Sequence, residues 1–179
     1  MSAKLAPERH ALRMCLQFTV LAPITLVLWL MALPTYAWIV GKTALPILKY
    51  VVREPVLDIV VSKTGFLNIG TSLGFALADR TRMMPDIGHL LTNIAPYVAL
   101  VLATPRLAWK KRLVILVIGI AIMFAFHVAT IILRYTEGRA SLPTVFGFIA
   151  ITLPFLLWIV LAYWDKLIAY IGDDDSTHS

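Results

Sequence analysis

Residues 86–135 read DIGHLLTNIAPYVALVLATP (86–105), RLAWKKR (106–112) and LVILVIGIAIMFAFHVATIILRY (113–135). Two uncharged apolar runs flank a short turn that gathers Arg106, Lys110, Lys111 and Arg112. A bilayer core is crossed by about 20 apolar residues in a helix, so each run is one bilayer thick. The stretch therefore predicts two membrane-spanning helices, 87–105 and 113–133, joined by a basic turn. Each carries its polar residues near the end away from that turn.

Composition agrees with this solvent. The chain of 179 residues is 60% hydrophobic and 15% charged, against roughly half and a quarter in soluble domains. Its formal charge is +6. The basic residues flank apolar runs instead of lining one hydrophilic face, which argues against nucleic acid and for topology signals at anionic headgroups. Cys15 is the single cysteine, so no intrachain disulfide forms.

Residues 1–13 are polar and basic. The uncharged run 14–41 follows, too long for the apolar region of a cleaved signal peptide and without a good small-x-small exit. It reads as an uncleaved anchor, a first crossing kinked at Pro23 and Pro34. Residues 42–86 mix six basic and four acidic residues into apolar sequence. The part around TALPILKYVVREPVLDIVV predicts one or two amphipathic interfacial helices, with Pro55 at a helix start. The Gly-rich TGFLNIGTSLGFALAD predicts short extended segments or a hairpin. Together they form an extracytoplasmic interfacial cap. After the turn RYTEGRA a fourth apolar run spans 140–164, and 165–179 is a tail that turns acidic and frays. The expected architecture is an all-α polytopic membrane protein with four crossings. Both termini and the basic turn lie in the cytoplasm of a multi-pass cell-membrane protein.

On a helix, His89 and Asn93 share a face, as do His127, Thr130 and Arg134. Both sets fall in the outer half of the membrane, where a polar group without a partner is costly. They form either an outward polar pocket or ordinary interhelical hydrogen bonds with a snorkelling arginine. No cofactor or metal is expected: the histidines are too dispersed for a zinc motif, and the glycines of 65–74 precede no phosphate-loop Lys. Cys15 pairs only with His10 at the opposite membrane face, so a Cys–His nucleophile is not expected.

An N-terminal anchor, an extracytoplasmic amphipathic and Gly-rich excursion, a helix ending in ALVLATPRLAWKKR and a helix closing with IILRY follow one another here. This order of parts resembles the exosortase/archaeosortase superfamily. Those polytopic, transpeptidase-like enzymes process C-terminal sorting signals of exported proteins with a Cys, an Arg and a His near the outer membrane face. The segment LTNIAPYVALVLATP is also similar to the exosortase H-associated membrane proteins, small companions of one such enzyme. The resemblance implies a nucleophilic Cys near Asn93, an Arg at Arg134, an Asn at Ile131 and a His near Pro143. Only the Arg is present. The implied function is a non-catalytic bacterial inner-membrane protein that accompanies or scaffolds an exosortase-like enzyme or receives a substrate transmembrane helix. Two other readings stand beside it. One is a hydrolase or transpeptidase-like enzyme with His127 as base, Arg134 at an oxyanion and Ser141 or Thr144 as nucleophile. The other is a small transporter or channel subunit, which the lack of an acidic residue inside any crossing argues against.

Overall fold

The computed structural model describes residues 5–84, 87–105, 107–137 and 144–174. Helix dominates, as expected, but the chain is not all-α. Among the described residues, five α-helices accompany a three-stranded antiparallel sheet: α1 (Leu5–Pro46), β1 (Asp58–Ser62), β2 (Ser72–Ala76), β3 (Thr81–Met84), α2 (Ile87–Leu91), α3 (Ile94–Ala103), α4 (Trp109–Glu137) and α5 (Thr144–Asp174). Two helical stretches, Leu12–Val51 and Trp109–Thr136, are long and apolar enough to cross a membrane; Ile87–Ala103 and Gly147–Tyr163 are shorter apolar helical stretches.

The first helix outruns its predicted span 14–41 at both ends. It persists through Pro23, Pro34 and Pro46 and closes in a π-helical turn, Ile47–Val51. The end of α1, that turn and β1 replace the amphipathic helices expected over 43–61. Beyond the turn the backbone extends, with Arg53 at φ 62 and Pro55 in no helix. Leu16, Val20, Ile24, Leu28 and Met31 form an exposed stripe on α1, and only 11% of its most apolar window is buried. A core helix of a water-soluble domain distributes its apolar residues the other way round.

The Gly-rich stretch 64–79 supplies one strand, β2, and the turn before it; its partner β1 begins inside 43–61, where the sequence predicts amphipathic helix, and β3 follows the stretch. Asp58 pairs with Ala76 and Ser62 with Ser72, while Leu73 pairs with Met84 across the next ladder. Side-chain alternation turns Ile59, Leu73, Phe75 and Met84 inward onto α1 and the far end of α4. Phe75 meets the Tyr135 ring at 5.2 Å, and the Arg82 guanidinium covers that ring at 4.8 Å. Lys42 Nζ donates to Asp58 Oδ1 at 2.8 Å. That hydrogen bond, with the Ile59 N–H, holds the Asp58 carboxyl below the usual carboxylate range.

The second predicted crossing, 87–105, is a broken helix. Thr92 and Asn93 separate α2 from α3, the Ala95 N–H reaching back to the Thr92 carbonyl because Pro96 has no N–H to continue the ladder. At the other end of α3, Thr104 is gripped three ways. Its carbonyl accepts from Arg112 at 2.8 Å, its hydroxyl donates to the Leu100 carbonyl, and that hydroxyl accepts from Trp158 Nε1 at 2.8 Å. The basic turn thus also places a cation on a helix C-terminus, where the dipole favours it. Helix α5 continues to Asp174, through most of the tail expected to fray.

A second core of Ile94, Tyr97, Val101, Ile115 and Met123 joins α3, α4 and α5. Tyr97 lies flat on α4 and donates to the Ile115 carbonyl at 2.6 Å. It can do so because residue 119 is glycine: any Cβ there runs into the Tyr97 ring. Replacing Gly119 by Val should therefore destabilise the fold by about 1–3 kcal/mol through overpacking. Thermal unfolding in detergent measures it, and an unchanged midpoint would mean that the ring does not occupy that place.

Candidate functional site

Four helical segments meet at one line of hydrogen bonds. Tyr36 of α1 lies 2.9 Å from His127 Nδ1 on α4. His127 Nε2 lies 3.0 Å from Asn93 Oδ1, at the break between α2 and α3. Asn93 Nδ2 donates to the Ala150 carbonyl of α5 at 3.0 Å. The imidazole is fully buried.

Composition of the partners sets the direction of every bond. An amide whose nitrogen donates to a carbonyl can offer only its oxygen to His127. His127 Nε2 must then carry a hydrogen, which leaves Nδ1 as the acceptor and makes the Tyr36 hydroxyl its donor. The line runs Tyr36 to His127 to Asn93 to Ala150, with a neutral imidazole at its centre.

The last acceptor exists because of a proline. Pro154 sits four residues after Ala150 in α5 and has no N–H, so the Ala150 carbonyl lacks its helical donor. Asn93 supplies one. The same device recurs on α1: Pro34 opens the Leu30 carbonyl, and the Asn68 amide approaches it at 3.4 Å. Trp29 Nε1 likewise donates to the Leu91 carbonyl at 2.9 Å, at the C-terminus of α2.

Of the residues singled out in the sequence, the structure joins Asn93 and His127 directly. Thr130 is buried one turn further along α4, its hydroxyl making no hydrogen bond among the described residues. Arg134 is half-buried beyond it. His89 is exposed and stands apart from the line. Ser141 and Pro143 lie outside the described residues, as does the Thr144 side chain. Sequence reasoning misses Tyr36, Trp29 and the Ala150 carbonyl, and their signal is only partial: prolines inside apolar runs mark carbonyls that need outside donors.

Beside the line, a cleft of about 550 Å³ opens between α1 and α5 with α2 and α3 as its floor. Ala22, Pro23 and Leu26 form one wall, Ile151, Pro154 and Phe155 the other, and Ala95 and Pro96 the base. His89, Thr92 and Asn93 make its polar end. Thr92 is bonded to the Gly88 carbonyl and Asn93 is used in the line, whereas the exposed His89 side chain has no hydrogen bond among the described residues.

Structurally, the line ties four helical segments together. Both imidazole nitrogens are engaged: Nε2 donates to Asn93 Oδ1, and the Nδ1 lone pair accepts from the Tyr36 hydroxyl. Cys15 lies 21 residues before Tyr36 on one helix, about 31 Å along its axis. No group of three or more His, Cys, Asp or Glu that could hold a metal occurs among the described residues. Comparison with known proteins finds no matching family model, curated relative or solved structure.

Asn93→Ala should cost about 1–3 kcal/mol for each stranded group, the His127 N–H and the Ala150 carbonyl. In a Pro154→Ala background, where the backbone again donates to Ala150, the cost of Asn93→Ala should fall by about 1 kcal/mol. A double-mutant cycle on unfolding free energy reads this coupling; strict additivity would refute the proline assignment.

Proposed function

We propose that this chain is a non-catalytic, polytopic membrane protein that accompanies an exosortase-like C-terminal protein-sorting enzyme. In this reading it receives one transmembrane helix of that enzyme in the cleft between α1 and α5. The observation that carries it is a division of labour among polar groups. Those of the Tyr36–His127–Asn93 line are consumed in joining helices, while the adjacent cleft is mostly apolar, floored by small residues and prolines, and open at the side.

Four crossings are supported by the shorter apolar helices Ile87–Ala103 and Gly147–Tyr163 beside the two longer ones, since about 17 apolar residues reach the lower limit for spanning. Trp109 and Tyr135 are 26 residues apart on α4, about 39 Å, which separates the basic turn from the sheet by more than a hydrocarbon core. The density of positive charge at 106–112 assigns that end to the cytoplasm and the sheet to the outer face. The class of partner rests on the order of parts along the chain. Small residues at a helix interface permit the close approach by which transmembrane helices associate, and Ala22 and Ala95 supply them here.

In a Cys15→Ser background, Lys111→Cys should react only with reagents admitted to the cytoplasm and Arg134→Cys only with impermeant reagents outside. Labelling both from one side would remove the four-crossing topology. Filling the cleft with Ala22→Leu and Ala95→Leu should lower co-purification with a membrane enzyme bearing an intact Cys, Arg and His set more than about tenfold, a loss of about 1.4 kcal/mol or more. Undiminished co-purification, or a transfer or hydrolytic activity in the purified protein that His127→Ala abolishes, would overturn the proposal.

A further inference from the structure

A second recess, about 260 Å³, lies between the outer part of α1 and the end of β1, lined by Pro34, Thr35, Trp38, Val61 and Lys63. We propose that it binds the phosphate headgroup of an outer-leaflet anionic phospholipid, with Lys63 and Thr35 as its ligands and Trp38 as its wall. The inference rests on the reading of α1 as a membrane crossing.

Two polar groups in the recess are unspent. Lys63 is exposed and forms no ion pair among the described residues; the nearby Lys42 is already committed to Asp58. Thr35 departs from the habit of its helix. Thr19, Thr25 and Thr43 each turn the hydroxyl onto the carbonyl four residues earlier, whereas Thr35 makes no such bond. A free ammonium and a free hydroxyl on facing elements suit a phosphate, which accepts from both. Trp38 is half exposed, and the Lys42 ammonium lies 5.9 Å from its ring centroid, the setting of an interfacial belt residue.

The depth is also right. Thr35 stands 22 residues beyond Arg13, the last charge before the apolar run, or about 33 Å along the helix against a hydrocarbon core of about 30 Å. The recess therefore meets the outer headgroup layer. Below it on the same helical face, Met31, Leu28 and Ile24 are exposed, a track for acyl chains. The turn between β1 and β2 presents Phe66 at 81% exposure, a further apolar group on the outer side. One end of the site is thus cationic and hydrogen-bonding, and its continuation is apolar.

The test is titration of phosphatidylglycerol, diacylglycerol and inorganic phosphate onto the full chain in detergent, read by native mass spectrometry. Phosphatidylglycerol should be retained over diacylglycerol, and Lys63→Gln and Thr35→Val should each weaken it about fivefold, the effect of one surface cation or hydrogen bond. Lys63→Arg should preserve retention. Competition by millimolar phosphate would support the ligand set while showing that headgroup chemistry alone suffices. Phosphate binding without preference for the lipid would overturn the lipid as occupant. Equal retention by wild type and Lys63→Gln would overturn the site. Alkaline extraction of membranes separates the premise from the inference: release of the wild type would defeat the crossing itself, whereas retention leaves the binding result to decide the site alone.

Discussion

A helix carbonyl deprived of its donor by a proline must find another, and in this protein the donor comes from a different helix. Asn93 reaches the Ala150 carbonyl that Pro154 leaves open, and through His127 and Tyr36 the same line continues to α4 and α1. Each polar atom is placed by the one before it. The break after α2 presents Asn93, the fully buried His127 bridges, and the Trp29 and Phe124 rings pack edge-on against Tyr36. The cleft, the sheet and the basic turn are all referred to this fixed point.

Such a tie matters more in lipid than it would in water. Where solvent and helix faces are both apolar, burying a leucine distinguishes one arrangement from another only weakly, and close packing with hydrogen bonds must select it. The Gly119–Tyr97 contact provides the first and the Asn93 line the second. A membrane-buried hydrogen bond is worth only about 0.6–2 kcal/mol net, so several are needed. Trp29 to Leu91, Trp158 to Thr104 and Tyr97 to Ile115 are further examples between separate helices.

Much of this is legible in the amino-acid sequence. Uncharged runs mark the helices, and helical spacing places His127, Thr130 and Arg134 on one face. The meeting of His127 with Asn93 lies within reach of that reasoning. Tyr36 does not, because its partner is 91 residues away and a tyrosine in an apolar run reads equally as a packing residue. The sheet is half visible: glycines speak against helix over 64–79, but β3 has only four residues, too few for alternation to declare itself. The π-helical turn at 47–51 runs against expectation for another reason. An intact preceding helix extends itself through Pro46, whereas the charged spacing there suggests a fresh start.

The amide–carbonyl bond to α5 also bears on biogenesis. A solitary α5 carries an open acceptor at Ala150 with nothing beside it to answer. Release from the translation machinery in chain order brings Tyr36, Asn93 and His127 together first. The last helix then arrives to find a donor already waiting, so vectorial synthesis and the polarity of the line run the same way.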